Sequence, residues 1–220
     1  MKNILRMAAI AGISLLMSAC ATTKPTAYDY TAYKAAKPRS ILVLPPVSRA
    51  PDVNASPSML SVATLPLAEA GYYVLPVVPV YETFKQNGIT IADEAHEVGL
   101  ERLHEIFGAD AALYITIDKY GSIYQVVNSV VVVSASARLV DLRTGTTLWE
   151  GRAEASTAEN QNNNNHGLIG MLVGAAVNQV LNQVTDKSHQ VAGVTSQRLL
   201  SAGRPGGLLY GPYSPKFETD

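Results

Sequence analysis

The fold is decided by residues 131–155, which read VVVSASARLVDLRTGTTLWEGRAEA. Apolar and polar residues alternate along both halves of this stretch, and a turn-forming Arg143-Thr144-Gly145 lies between them, so the pattern predicts two antiparallel strands joined as a hairpin. A two-residue loop at Thr144-Gly145 is excluded, because it would pair odd with even positions and bring unlike faces together. We therefore predict a three-residue loop over 143–145.

This loop fixes which residues lie opposite one another in the hairpin. It places Gly145 in the left-handed conformation that three-residue loops need. Leu139 then lies opposite Trp149 on an apolar face, and Arg138 lies opposite Glu150 on a polar face. The hairpin therefore has one face for a core and one face for charged and hydroxyl side chains.

The chain before the hairpin predicts an α/β opening. Residues 41–44 are apolar on both faces and are followed by two prolines, which is typical of a central strand in a parallel sheet. A helix follows from Ser56-Pro57, and Pro66 predicts a kink or an early end of it. A second strand is predicted over 72–75. These elements form a βαβ unit.

Other segments complete the predicted fold class, which is α/β, or α+β, with helices packed on a mixed sheet of about five strands. The sheet contains the βαβ opening and the C-terminal antiparallel hairpin. The remaining elements are helices over 79–87, 90–107, 167–184 and from about 188 to 200, and a half-buried strand over 111–117.

The N-terminus predicts export. Lys2 and Arg6 precede an apolar stretch over 7–17 that is too short to span a bilayer, which is the layout of a secretory signal. Small residues followed directly by Cys20 resemble the lipobox of bacterial lipoproteins. This resemblance implies cleavage before Cys20 and a diacylglycerol on its thiol. Cys20 is also the only cysteine, and acylation gives an odd cysteine in an exported protein a purpose.

The alternatives are an ordinary signal peptide with a chance cysteine, and a buried N-terminal helix. Ala21 follows the cysteine. By resemblance to the sorting rules of enteric bacteria, the absence of Asp at this position favours the outer membrane. We therefore predict a protein anchored by lipid in the cell outer membrane and facing the periplasm.

The chain divides into four predicted segments: 1–19 is the signal peptide, 20–39 is the lipid anchor with a flexible tether, 40–200 is a single periplasmic α/β domain, and 201–220 is an extended C-terminal tail. The tether carries a net charge of +3, which favours either contact with anionic lipid or cell wall, or a solvated stalk. Cleavage leaves 15 of the 17 basic residues against 18 acidic ones. The resulting charge of −3 argues against a general nucleic-acid binder.

Motifs of common enzyme classes are absent from the sequence: there is no Gly-rich phosphate loop ending in Lys-Ser/Thr, no Gly-x-Ser-x-Gly and no Ser-x-x-Lys. The best ionisable cluster is Glu97, Glu101 and His104, which share one face of the predicted helix 90–107. Carboxylates and an imidazole at this spacing can hold a metal, and the favoured alternative is an ordinary solvated face. We expect no catalytic residue, no metal, no cofactor and no enzyme.

The predicted helix 167–184 has two distinct faces. An apolar stripe runs along one, and Gly167, Gly170 and Gly174 form a second face without side chains. This glycine face is a candidate contact for another helix or subunit, and packing on the sheet is the alternative. The apolar run is too short to be a transmembrane span.

Three local patterns, in order and behind a lipobox, resemble a known group of proteins. They are RSILVLPP at 39–46, FGADAALY at 107–114 and LVDLRTGTTLWEG at 139–151. Together they resemble Gram-negative lipoproteins related to CsgG, LpoB and the N-terminal domain of TolB, in particular those called GNA-type or CsgG-associated. The resemblance covers roughly 39–187. It implies a mixed sheet with packed helices, a periplasmic location, a scaffolding or assembly role and no catalytic residues.

Two functions from different classes follow from this resemblance. The leading one is a non-enzymatic accessory or scaffold lipoprotein in cell-envelope assembly or transport. Its partners are the membrane through its lipid, and further copies of itself or other envelope lipoproteins; no nucleic acid and no small-molecule substrate is expected. The alternative is a subunit of a CsgG-like oligomeric outer-membrane export channel, although the sequence shows no clear pair of long, lipid-facing inserts. An envelope enzyme is a third, weaker candidate.

Overall fold

The structure is a computed structural model, which describes residues 28–124, 129–161 and 187–220. The predicted signal peptide, Cys20 and the helix 167–184 with its glycine face lie outside these residues. None of the helices in the described part has the length and hydropathy needed to cross a bilayer. In chain order the elements are α1 (Thr31–Ala36), β1 (Ser40–Val43), β2 (Val47–Ser48), α2 (Ala55–Glu69), β3 (Tyr73–Val74), α3 (Val77–Gln86), α4 (Ala92–Glu97), α5 (Leu100–Phe107), β4 (Ala111–Tyr124), β5 (Ser129–Asp141), β6 (Thr147–Ser156), a 3₁₀ turn (Thr157–Gln161) and α6 (Lys187–Leu200).

The strands form one mixed sheet in the order β3-β1-β4-β5-β6, with the short β2 paired to β4. β1 lies parallel to both of its neighbours, as its two-sided apolar pattern predicts, and β5 lies antiparallel to β4 and β6. The predicted α/β class, βαβ opening and antiparallel hairpin are confirmed, with six strands where about five were expected.

The partners in the hairpin are those that the sequence predicts. Leu139 lies opposite Trp149, and Arg138 lies opposite Glu150. Gly145 has a φ of +73°, which is the left-handed conformation. Face matching alone was therefore sufficient to identify the pairs along the body of the two strands.

The loop of the hairpin differs from the prediction. Asp141 accepts hydrogen bonds at Oδ1 from the backbone N–H groups two and three residues further on, at 2.9 and 2.8 Å. This cap organises a four-residue loop, 142–145, in place of the predicted three. Val140 lies opposite Thr147, and Leu148 forms a bulge that shifts the register by one residue and restores the matching of faces.

One face of the sheet, here called the core face, is packed under α2, α6 and the terminal segments. Alternate residues of the central strands point to it, so that the helices bury a continuous apolar layer. Its largest members are Ile41, Val43, Met59, Leu67, Leu113, Ile115, Ile117, Leu139, Trp149, Leu199 and Leu200.

The helix α2 runs through Pro66 and ends at Glu69, so the early end predicted at Pro66 is not seen. A proline in a helix lacks the N–H that would bond to the carbonyl four residues earlier, here that of Val62. The hydroxyl of Ser196, a fully buried residue of α6, donates to this carbonyl at 3.0 Å. A neighbouring helix therefore supplies the donor that Pro66 removes.

The opposite face, here called the cleft face, is covered at one end by α3, α4 and α5. Leu42, Leu44, Leu103, Val140 and Leu142 belong to the smaller core at that end. Between this core and the buried Val132 and Ser134 of β5, polar residues of β4, β5 and β6 are left partly exposed. The two faces therefore differ in both chemistry and covering.

The predicted helix over 90–107 is in fact two helices, α4 and α5. Val98 and Gly99 have extended ψ angles of 129° and 140°, and they interrupt the helical backbone between the two. A glycine in a helix interior costs about 1 kcal/mol relative to alanine, which makes this position a weak point. The break lets Ala95 and Leu103 both reach the core of the cleft face.

The terminal segments pack against the domain. Tyr33 of α1 is 3% exposed, and its hydroxyl contacts that of Tyr72 at 2.7 Å, while Tyr72 donates to the carbonyl of Leu209 at 2.7 Å. Burial raises the pKa of both Tyr33 and Tyr72. From residue 28 onward the predicted flexible tether is folded, and the C-terminal tail over 201–220 is bent onto the core, because these side chains find partners that are distant in sequence.

Candidate functional site

The ionisable residues predicted on one helix face lie on two helices. Glu97 is the last residue of α4, whereas Glu101 and His104 belong to α5 beyond the break. His104 Nδ1 donates to the carbonyl of Ala109 at 2.8 Å. Among the residues that the structure describes, no group of three His, Cys, Asp or Glu is placed to hold a metal. The metal interpretation of this cluster therefore has no support.

The remaining predicted site residues are Cys20, the lipid attachment point, and the glycine face of Gly167, Gly170 and Gly174. All of them lie outside the described ranges and remain predictions. The concave surfaces of the described part of the chain include two large ones that the sequence did not single out.

The first surface is a polar cleft of about 620 Å³ on the exposed part of the cleft face, here called the sheet cleft. The floor of the cleft consists of two rows of cross-strand partners, each with one residue from β4, β5 and β6, and His96 of α4 lies at its side. One row is Tyr114, Arg138 and Glu150, and the next row is Thr116, Ser136 and Arg152.

The arginines of this face differ in their partners. Arg49 and Arg152 each bond to one carboxylate oxygen of Asp118, at 2.8 Å. Arg138 instead places its guanidinium 5.0 Å from the ring centre of Tyr114, a cation–π contact. Arg138 forms no ion pair with any described residue. The central arginine of the cleft therefore has a ring contact in place of an ion pair.

His96 and Tyr114 form an uncharged wall beside this arginine. His96 Nε2 donates to the carbonyl of Pro45 at 2.9 Å, and its ring meets the ring of Tyr114 edge-on at 5.1 Å. Burial lowers the pKa of His96; the hydrogen bond to Pro45 and the charge of Asp93 oppose this effect in part, and the charge of Arg138 adds to it. Burial raises the pKa of Tyr114, an effect that Arg138 opposes. The other ionisable side chains that line the cleft are Arg138, Arg152 and Glu150.

The second surface is an apolar groove of about 610 Å³ between α2, α3 and the segment that joins α3 to α4, here called the apolar groove. Val53, Val78 and Ile91 line it and are 87%, 69% and 55% exposed. Pro45 and Pro46, which follow β1 after Leu44, also line it. The groove therefore lies at the carboxyl end of the parallel strands, where open α/β sheets bind their ligands.

Charged residues adjacent to the apolar groove are mostly acidic. Asp52 precedes Val53, Glu82 follows Tyr81, and Asp93 and Glu94 follow Ala92, each beside a residue of the groove lining. The basic side chain of Lys85 lies over the ring of Tyr81 at 5.5 Å and pairs with Glu82 at 3.4 Å. Arg49, which follows the lining residue Ser48, pairs with Asp118, and the charged sequence neighbours of the lining remain net negative.

Sequence reasoning placed Arg138 and Glu150 on a polar strand face but did not recognise a site there. The available signal was Arg138 in the middle of a predicted strand. The predicted hairpin gives it only Glu150 as a neighbour, which is an ordinary cross-strand pair. Tyr114 reaches Arg138 only through the pairing of β4 with β5, which joins residues far apart in the chain. The groove likewise joins three segments that no local pattern connects.

Comparison with known proteins supplies the relatives of this fold. The family model described as "Putative lipoprotein GNA1162-like" matches residues 28–213. A relative from Neisseria meningitidis serogroup B (strain ATCC BAA-335 / MC58), "Putative lipoprotein NMB1124/NMB1162", is 51% identical over 198 residues, which cover 90% of this chain and 91% of the relative. The GNA-type part of the resemblance found in the sequence is therefore confirmed.

A solved structure from the same family also matches this chain. The crystal structure of lipoprotein GNA1162 from Neisseria meningitidis is 54% identical, covers 66% of this chain and 100% of its own chain, and has a TM-score of 0.54. The C-terminal domain of LpoB from Salmonella enterica is 17% identical over 53% of this chain and 81% of its own, with a TM-score of 0.40, which is too low to carry an argument. The matches to the family model and to the Neisseria proteins cover most of the domain, and the chain belongs to the family "Putative lipoprotein GNA1162-like".

Proposed function

We propose that this protein is a non-enzymatic accessory or scaffold lipoprotein, anchored by Cys20 in the outer membrane and facing the periplasm. In this role it binds a partner protein of envelope assembly or transport through the apolar groove. The occupant of the groove is a basic amphipathic segment of that partner. The observation that carries the proposal is a set of exposed apolar side chains gathered around one groove with acidic residues beside it.

The apolar side chains favour a protein segment as the occupant. Val53, Val78 and Ile91 are mostly in water in the free domain, and full burial of an aliphatic side chain of this size contributes about 1.5–3 kcal/mol. An amphipathic helix buries such a row with residues spaced three and four apart. Basic residues beside its apolar face would meet the carboxylates of Asp93 and Glu94, which favours this partner over an acidic one.

The lipid anchor favours a function close to the membrane. The family and its Neisseria relative carry the name "putative lipoprotein", and the resemblance of the sequence before Cys20 to a lipobox supports this residue as the lipid attachment point. The Tyr28 hydroxyl accepts a hydrogen bond from the N–H of Glu150 at 2.9 Å, which fixes residue 28 to the sheet edge. Eight peptide steps separate Cys20 from this point, and they span at most about 29 Å. The sheet edge at Tyr28 therefore lies within that distance of the proposed anchor.

Anchoring is tested by Cys20→Ser, which removes the thiol that receives the lipid. We expect the variant to accumulate as a soluble or unprocessed form, without outer-membrane fractionation, and with an unchanged folded domain. Fractionation on a density gradient, with mass spectrometry of the N-terminus, measures both. A processed Cys20→Ser chain that still fractionates with the outer membrane would refute the lipid anchor.

Docking is tested by photo-cross-linking in intact cells. A photoreactive amino acid at Val78 lies on the apolar groove, and the same amino acid at Tyr213, which is 63% exposed on the C-terminal tail, is the matched control. We expect Val78 alone to cross-link one partner protein, and the cross-linked peptide to be basic and amphipathic. Val78→Asp, in a chain that carries the photoreactive amino acid at Tyr81, should abolish this product. Equal products from Val78 and Tyr213, or an acidic peptide, contradict the proposal.

The CsgG-like channel remains the alternative and gives a different product. In that case the photoreactive positions would cross-link copies of the same chain, and electron micrographs of detergent extracts would show closed rings. Self-association through the glycine face remains a separate prediction. Gly170→Leu should weaken it without unfolding the monomer, and sedimentation velocity with thermal melting separates these outcomes.

A further inference from the structure

The sheet cleft contains an arginine with unused hydrogen-bond donors. Arg138 stands on the middle strand of the three that form the floor, with its guanidinium over the ring of Tyr114. A cation–π contact occupies the flat side of a guanidinium and leaves the N–H groups along its edge available. No described residue forms an ion pair with Arg138, and Arg138 lines the cleft, so its N–H donors are available to a ligand there.

The chemistry of the guanidinium points to a carboxylate or a phosphate as the ligand group. Its planar fork of N–H donors matches two oxygens at once, and such charge-assisted pairs are about twice as strong as neutral hydrogen bonds. The hydroxyls of Thr116 and Ser136, in the adjoining row, are further donors within the cleft. The uncharged wall of His96 and Tyr114 adds no negative charge next to the bound group.

Glu150 favours a carboxylate over a phosphate as the ligand group. It lies opposite Arg138 on β6, its side chain is exposed in the cleft, and it forms no ion pair with Arg138. Its carboxylate would repel a phosphate dianion more strongly than a monoanionic carboxylate. The same carboxylate is an acceptor for an N–H group. A ligand with a carboxylate and, a short distance away, an amide N–H therefore satisfies both residues.

We propose that the sheet cleft binds the free carboxylate terminus of a short peptide, with Arg138 as the bidentate donor and Glu150 as the acceptor for a peptide N–H. The cleft volume of about 620 Å³ lies within the range of small-molecule sites. This site is separate from the apolar groove and does not depend on the proposed docking function.

The experiment uses the processed lipoprotein purified in detergent and two probes that differ in one group. The probes are acetyl-Ala-Ala with a free carboxylate and the same dipeptide as its C-terminal amide, each titrated calorimetrically. We expect the acid to bind saturably and the amide to bind at least about tenfold more weakly, since the lost interaction is a charge-assisted hydrogen-bonded pair. Equal binding of acid and amide, or no binding of the acid, overturns the proposal.

Substitutions of Arg138 test whether this residue binds the carboxylate. Arg138→Gln should weaken binding of the acid at least about tenfold and leave binding of the amide unchanged. Arg143→Gln, an exposed arginine in the loop of the same hairpin, is the matched control and should bind like the wild type. Arg138→Lys keeps the positive charge but lacks the planar fork of donors. Its affinity for the acid should therefore lie between those of the wild type and Arg138→Gln. This variant tests the role of Arg138 even if Arg138→Gln does not fold. Wild-type affinity in both Arg138 variants overturns the proposal.

Inorganic phosphate separates the two anion classes. The wild type should bind it more weakly than the acid dipeptide, and Glu150→Gln should narrow this difference by removing the repulsion. Phosphate that binds the wild type more tightly than the dipeptide overturns the assignment to a carboxylate.

Discussion

The core face and the cleft face of the sheet are built from alternate residues of the same strands. The core face stabilises the fold, whereas part of the cleft face is exposed and available for binding. On β4, Ile115 is 0% exposed under α2 and α6, whereas its neighbour Thr116 points into the open sheet cleft. The core face is covered along its length, whereas the cleft face is open where Thr116, Ser136 and Arg138 lie. The alternation of a β-strand therefore lets one residue stabilise the fold while the next is available for binding.

The largest expected effect tests this division directly. Ile115→Ala removes a fully buried side chain from the core face and should lower the free energy of unfolding by about 2–5 kcal/mol. Thr116→Ala, one residue further along the strand, should change it by no more than about 0.5 kcal/mol. Urea unfolding of both variants measures the difference, and similar losses would contradict the comparison of the two faces.

A smaller effect concerns the helices over the core face. Ser196→Ala leaves the carbonyl of Val62 buried without the donor that replaces the N–H missing at Pro66. We expect a loss of about 1–3 kcal/mol in the free energy of unfolding. Pro66→Ala restores the N–H, so Ser196→Ala should cost less in that background. A double-mutant cycle measures this coupling, and additive effects would show that the hydroxyl does not compensate for the proline.

The next smaller effect on stability is expected in the hairpin turn, which lies at the end of the cleft face under α5. Gly145 is left-handed, and a side chain there would come within 3.3 Å of Leu100 on α5. Gly145→Val should therefore cost about 1–2 kcal/mol. Thr144→Ser keeps the hydroxyl that bonds to Asp141 and should change stability little. Thermal melting of both variants provides the measurement; negligible change in each would mean that the turn tolerates other conformations.

The smallest effect concerns pH and the wall of the sheet cleft. The pKa of His96 is lowered in the fold, so the unfolded chain takes up the proton first as pH falls. Stability from this residue is complete above about pH 6.5 and is lost below it. His96→Gln should have a smaller difference between urea midpoints at about pH 7.5 and about pH 5.5. An unchanged or larger difference would contradict the assigned direction of the pKa shift.

Much of the fold followed from local patterns, whereas the candidate sites did not. The partners of Leu139 and Trp149 were predicted because strand faces must match, and the helix ending at Leu200 follows from its periodicity. The break at Val98 was missed because a single glycine inside an apolar helical pattern is tolerated as often as it interrupts. Neither concave surface was predicted, because each is lined by segments that only folding brings together.

The sequence by itself determined which residues alternate, where the hairpin turns and which strand is buried on both faces, because these depend on neighbours two to four positions apart. Tertiary structure decided the rest. Pro66 is accommodated by Ser196, Tyr33 is buried against Tyr72, and Arg138 is held over the ring of another strand. Each of these contacts needs a partner at least 24 residues away, and such partners become neighbours only when the sheet and its helices have assembled.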